Sequence, residues 1–325
     1  MLRIFQSGST LERLARAREF VQEQSPAREV VVVGSTRSAA DDFVRELAAR
    51  VEATAGLHRF SLKQLASRIA SAETATRGLV PITATGADAI ATRASFEVLR
   101  RHELEYFAPV GDRPGFSAAL ATTIRDLRTS SVTPADLATL GPRGRDLSRL
   151  LAEYDRQRKD ACLIDLPDLF EIAAQVVENE STDLTGCPVV LIDLAITSRA
   201  ERQFIAALAA KSPQVFATLV ADDSRTMAAL TGLGAEYASA SKRFFTSLER
   251  LQNHLFEPLP DSTYEEDGMV QFFSAPGEGR ECIEIARRIH EQARNGIPFD
   301  HIAVVVRSPQ TYAALLQAAL GIAHK

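Results

Sequence analysis

Lysine is nearly absent from this chain. Of 37 basic residues only five are lysines: Lys63, Lys159, Lys211, Lys242 and Lys325. None is preceded by glycine and followed by serine or threonine, so no loop offers the lysine and hydroxyl that hold nucleotide phosphates and magnesium. None has Asp or Glu two positions earlier, where Ser61, Gln157, Ala209, Ala240 and Ala323 stand. That excludes the Asp/Glu-x-Lys arrangement, in which acids hold magnesium and the lysine assists an attacking water.

Other shortages narrow the function further. The three cysteines, Cys162, Cys187 and Cys282, are odd in number and far apart, so neither a disulfide framework nor a metal-ligand spacing is present. The six histidines show no ligand spacing, and no serine sits in a nucleophile elbow. The expectation is no metal site and no catalytic residue in this chain. No run approaches the roughly 20 apolar residues of a membrane span. The N-terminus MLRIFQSGSTLERLARAREF lacks the apolar core of a secretory signal, which places the chain in the cytoplasm with no membrane partner. Net charge is −5, the opposite of the basic footprint of an isolated nucleic-acid binder, so any DNA contact is local.

What is present is an ordinary globular composition, 46% hydrophobic and 24% charged. Six apolar runs alternate with helical patterns: LRIF (2–5), EVVVVG (29–34), VVLID (189–193), VFATLVA (215–221), MVQFFS (269–274) and HIAVVVR (301–307). Runs apolar at nearly every position predict strands covered on both faces, as in a parallel sheet, and hence an α/β fold. Ser9 with Glu12, Ser61 with Gln64 and Ser198 with Glu201 predict helix starts, as do Thr133-Pro134 and Ser308-Pro309. Between residues 69 and 184 the strand signal disappears and the pattern is helical. Residues 256–268, FEPLPDSTYEEDG, have a linker composition.

The order of these pieces resembles superfamily-one helicases, and more closely the AddB-type subunits of bacterial helicase-nucleases, across almost the whole chain. The resemblance is carried by VVVGSTRSAADDFVREL (31–47), similar to a strand, Thr-x-x-Ala-Ala turn and helix that approach single-stranded DNA; by PVVLIDLAITSRAERQFIAAL (188–208), at the position of the acidic Walker B strand; by FATLVADDSR (216–225), where active members resemble Gly-Asp-x-x-Gln; and by residues 272–320, which look like the opening of a second motor domain. It implies a P-loop-like first domain in two parts, 1–68 and 185–255, interrupted by a mainly helical insertion at 69–184. After the linker at 256–268 it implies the start of a second RecA-like domain at 269–325.

The resemblance also implies where chemistry has been lost. Gln6-Ser7-Gly8-Ser9-Thr10 stands where the phosphate loop belongs, with one glycine and no lysine. Gly8, Ser9 and Thr10 are remnants of that site. The Walker B strand ends Asp193-Leu194 instead of Asp-Glu; Asp193 reads either as a former magnesium ligand or as a turn residue. Arg307 stands where active helicases place an arginine facing the γ-phosphate, or bridges structural carboxylates. Ser35, Thr36, Arg37 and Ser38 read as phosphate-contacting residues of DNA or as an ordinary helix cap. Pro167-Asp168 reads as a cap before an amphipathic helix.

The expected function is a non-catalytic helicase-like scaffold of a DNA double-strand-break repair subunit, with no ATPase of its own, an AddA-like helicase-nuclease subunit as partner and DNA ends as ligand. No cofactor is expected in this chain; magnesium and an iron-sulfur cluster belong to a nuclease domain downstream. Two alternatives stand beside it: the leading part of a full-length helicase-exonuclease subunit, and an α/β nucleotide-sensing regulatory protein.

Overall fold

A computed structural model describes residues 1–24, 28–50, 55–180, 182–239, 246–255 and 267–322. Two compact units divide the chain, Met1–Arg243 and Phe244–Lys325. The first opens with β1 (Leu2–Ser7), α1 (Thr10–Gln22), β2 (Val30–Gly34), α2 (Arg37–Ala48), β3 (Leu57–Ser61) and α3 (Leu62–Thr76). There follow β4 (Val80–Pro81), α4 (Ala84–Arg100), α5 (Pro114–Thr129), α6 (Pro134–Ala138), α7 (Gly141–Asp160), β5 (Leu163–Ile164) and α8 (Leu166–Asn179). It closes with β6 (Val189–Ile192), α9 (Arg199–Lys211), β7 (Val215–Val220), α10 (Ser224–Thr231) and β8 (Glu236–Ser239).

Six strands form one sheet in the order β3-β2-β6-β7-β1-β8, each pair parallel. Burial explains the uninterrupted valines of β2. Val31 and Val33 pack into one layer with α3, α8 and α9, while Val30 and Val32 face the other way against α1 and α2. The protein is therefore α/β, with a parallel sheet covered on both faces, a form compatible with the Rossmann-like and P-loop-like folds.

The caps agree with the sequence reading. Ser9, Ser61, Thr133 and Ser198 cap α1, α3, α6 and α9, the last three as reciprocal capping boxes. Two strands escape the sequence reading. β3 is a half-buried edge strand, LHRFS, and β8 is an edge strand exposed at every position, so neither needs an apolar run. Within residues 69–184 the structure also adds a two-residue parallel pair, β4 with β5. Helices α4, α5, α6 and α7 form a separate core around Val98, Ile124, Leu150 and Leu151, whereas α3 and α8 belong to the sheet layer.

A buried ion network ties this helical block to α8. Arg128 on α5 reaches Asp155, Asp165 and Asp168, and Arg158 on α7 reaches Asp168. Asp165 is the cap of α8, and the Asp168 carboxylate accepts from the Asp165 N–H at 2.9 Å. The Pro-Asp dipeptide is thus part of a capping box, as its sequence suggests. Burial and the neighbouring Asp165 carboxylate push Asp168 up to about 6. Asp165 moves the other way despite its burial, because Arg128 holds its charged form.

In the second unit, α11 (Ser247–His254), α12 (Glu278–Arg294) and α13 (Pro309–Ile322) are helices, and Phe299–His301 is a 3-10 turn. The apolar contact between α12 and α13 is small: Cys282, Ala286 and Ala319, flanked by Tyr312, Leu316 and Leu320. Here the sequence reading is corrected. Neither 269–274 nor 301–307 is a strand, since a ladder requires a hydrogen-bonded neighbour and neither stretch has one among the described residues. Phe272 and Val305, expected inside a sheet, are 88% and 93% exposed. Residues 256–266 of the expected linker lie outside the described residues. No helix among the described residues is long and apolar enough to cross a membrane.

Glu153 on α7 generates a pH prediction. Its carboxylate, 6% exposed on the side chain, accepts from Arg156 at 2.5 Å, from Gln157 at 2.7 Å and from Arg101 at 3.3 Å. These donors, Arg156 foremost, hold its pKa down to about 2 against an ordinary 4.5. A depressed carboxylate stabilises the fold above its unfolded pKa and loses that contribution as pH falls toward the folded value. Glu153→Gln is expected to cost about 1–2 kcal/mol at pH 7, less than the full shift because Arg156 is solvated. Urea unfolding at stepped pH should show the difference between the two proteins closing between about pH 4.5 and pH 2.

Candidate functional site

Ligands of parallel α/β sheets bind outside the carboxyl ends of the strands, and the predicted positions after β1, β2 and β6 lie there. β1 ends at Ser7 and α1 begins at Thr10, so only Gly8 and Ser9 separate strand from helix. That is too short to wrap a phosphate. Part of this turn is engaged within the chain. Ser7 Oγ accepts from the Ser9 N–H at 3.0 Å and donates to the Glu12 carboxylate at 2.6 Å, while Ser9 Oγ accepts from the Glu12 N–H at 3.4 Å. A carboxylate of the protein itself therefore stands at the positive end of α1, where a phosphate would gain most.

The residue after Glu12 closes the site. Arg13, 4% exposed, donates to Asp193 through Nε at 2.8 Å and Nη2 at 2.9 Å, a bidentate pair. Its Nη1 donates to the Ser7 carbonyl at 2.6 Å, and Nη2 also reaches Thr10 Oγ1 at 3.1 Å. Asp193, just past β6, adopts a left-handed φ of 46°, a conformation that Asp tolerates better than most residues. Thr218 on β7 locks it there. The Asp193 N–H donates to Thr218 Oγ1 at 3.0 Å, and that hydroxyl donates back to Asp193 Oδ1 at 2.8 Å.

Because β7 lies between β1 and β6 in the sheet, Thr218 spans the gap between the two remnants. Arg13 joins Thr10 to Asp193, and Gly8 and Ser9 lie in the adjoining turn. Arg13 supplies the positive charge of this cluster. The sequence reading missed it, although a signal existed: α1 buries Arg13 on the same face as Ala17, Phe20 and Val21. A charged residue at an apolar position of a helix calls for a buried partner of opposite sign. An acid at the end of an apolar strand is such a partner.

Asp222 and Asp223, in the third resembling segment, lie after β7. Asp223 caps α10, accepting from the Thr226 N–H at 2.9 Å, and Thr226 in turn accepts from the Ile196 N–H at 3.0 Å. Their roles are local and structural. Arg307 belongs to the second unit and is exposed, with no carboxylate partner among the described residues.

Ser35, Thr36, Arg37 and Ser38 form the turn from β2 into α2. Gly34 is required there, since a Cβ would stand 2.8 Å from both the Ala40 nitrogen and the Thr36 oxygen. Thr36 is the cap and accepts from the Ala39 N–H at 3.1 Å, while Ser35 and Ser38 are exposed. Arg37 folds back onto Asp41 at 3.1 Å and onto the Arg59 carbonyl. Arg59 shares the same Asp41 at 3.5 Å. Two guanidiniums thus share one carboxylate, which leaves this edge locally positive on an acidic protein.

The Arg13–Asp193 pair gives a double-mutant prediction. Arg13→Ala and Asp193→Ala should each destabilise the first unit by about 2–4 kcal/mol, because each strands a partly buried partner. The double variant should fall short of their sum by about 1–3 kcal/mol in urea unfolding; additivity within about 0.5 kcal/mol would remove the coupling. No protein-family model matches the chain, and no curated protein matches it at a significant level.

Proposed function

We propose that this chain is a helicase-like scaffold region of a DNA double-strand-break repair subunit of the AddB kind, which binds DNA, an AddA-like helicase partner or both, and does not hydrolyse ATP. The observation that carries the reading is the Arg13–Asp193 pair beside the two-residue β1–α1 turn. A parallel sheet with the remnants of both nucleotide motifs at its strand ends, filled by side chains of the chain itself, is what a P-loop-like domain becomes when it keeps the scaffold and drops the nucleotide.

The DNA half of the proposal rests on the β2–α2 turn. There the exposed hydroxyls of Ser35 and Ser38, the α2 N-terminus and the surplus charge of Arg37 and Arg59 face outward at a strand end. The second unit enters the proposal as the start of a RecA-like domain on the resemblance of its sequence alone. The cell compartment proposed is the cytoplasm. Magnesium and an iron-sulfur cluster would belong to a nuclease domain outside this chain.

Three measurements test this. Purified chain should show no ATP hydrolysis above background with single-stranded DNA added; DNA-stimulated turnover that disappears in Asp193→Ala would refute the reading. Fluorescence anisotropy with a single-stranded oligonucleotide should show binding that Ser38→Glu weakens about tenfold, or about 1.4 kcal/mol. The same change should leave stability within about 0.5 kcal/mol, since an acid in the first helical turn suits the helix dipole. Co-expression with a folded AddA-type subunit should give a complex on pull-down. Failure of both the DNA and the pull-down arms would sink the scaffold function.

A further inference from the structure

Outside the strand ends, the first unit holds a cavity of about 320 Å³ where the helical block meets α3 and α8. This volume lies at the lower end of the range for small-molecule sites, which favour such junctions between packed layers. Its walls are largely apolar, with Ile82, Ile124, Ile164 and Leu169 among them. Five polar side chains on its surface have little or no engagement among the described residues: Tyr154, Lys63, Arg125, Asp88 and Thr129. Tyr154, only 4% exposed, lines the cavity, and its hydroxyl has no hydrogen-bond partner among the described residues. Lys63 lines it with no ion-pair or hydrogen-bond partner among them, and Arg125 donates only to Thr122 Oγ1, at 3.1 Å.

These groups contrast with the rest of the lining. Arg128 and Asp165 also border the cavity, but their charges are spent on each other and on Asp155 and Asp168. Tyr154 lines the cavity beside the Asp165 and Arg128 charges, and its unpartnered hydroxyl is open to a hydrogen bond from a ligand there. Lys63 and Arg125, both exposed, provide positive charge without a neutralising carboxylate, although Asp88 on the lining limits the total.

We propose that this cavity is a binding site for a small organic anion: a flat, mainly apolar body among the isoleucine and leucine walls, hydrogen-bonded to Tyr154, with one carboxylate, phosphate or sulfonate held by Lys63 and Arg125. A nucleic-acid strand fits less well. It carries one phosphate per nucleotide and needs a basic track, whereas only two free cations meet Asp88 here, on a chain of net charge −5. The site is independent of the proposed DNA function.

The probe is 8-anilinonaphthalene-1-sulfonate, which joins an apolar ring system to one sulfonate, titrated into the full chain and followed by fluorescence and by calorimetric stoichiometry. The expected result is one saturable site per chain. Lys63→Glu and Arg125→Glu, both at exposed positions, should each weaken it about tenfold, and Ala87→Trp, which fills the cavity from its lining, should abolish it. Circular dichroism confirms that each variant is folded. The uncharged N-phenyl-1-naphthylamine should be insensitive to the two charge reversals. Dye binding without a saturable one-to-one component, or binding unchanged in folded Ala87→Trp, overturns the proposal. So does displacement of the dye by a single-stranded oligonucleotide, which would reassign the cavity to nucleic acid.

Discussion

The charge pair between Arg13 and Asp193 organises the strand ends of the first unit. A carboxylate closing an apolar strand and a guanidinium on the apolar face of a helix would each be costly alone, and together they satisfy one another with two parallel hydrogen bonds. The remaining donors of the arginine are absorbed by the Ser7 carbonyl and Thr10, and the aspartate backbone and carboxylate are tied to Thr218. This one interaction therefore couples α1 and the ends of β1, β6 and β7. It also settles the electrostatics of the crevice, because the charges that would attract a phosphate and a metal are already neutralised.

The same logic of internal neutralisation recurs away from the sheet. Arg128 and Arg158 meet Asp155, Asp165 and Asp168 where α5, α7 and α8 converge, so that the helical block is held to the sheet layer by charge as well as by apolar contact. Arginine suits this task because its planar fork makes several directed hydrogen bonds while remaining charged. A chain with 37 basic residues and five lysines is provisioned for such networks.

How far the sequence revealed this depends on what each segment must bury. The valines of β2 and the runs of β1, β6 and β7 were legible because a central parallel strand is covered on both faces and so must be apolar throughout. β3 and β8 were not, since edge strands carry no such demand. The stretches at 269–274 and 301–307 have strand composition without a strand neighbour, and composition cannot supply the missing ladder. At the candidate site, the absence of a phosphate-loop lysine was plain from five positions, and Asp193 read as a former metal ligand or a turn residue. Arg13 belongs to no motif; only its periodicity on α1 marked it.

The central claim is that side chains of the protein occupy the place of phosphate and metal. Isothermal titration of magnesium-ATP into the purified chain tests it most directly. The account predicts no saturable binding up to about millimolar nucleotide, in the wild type and in Asp193→Ala alike. Micromolar, magnesium-dependent binding that Asp193→Ala abolishes would contradict it.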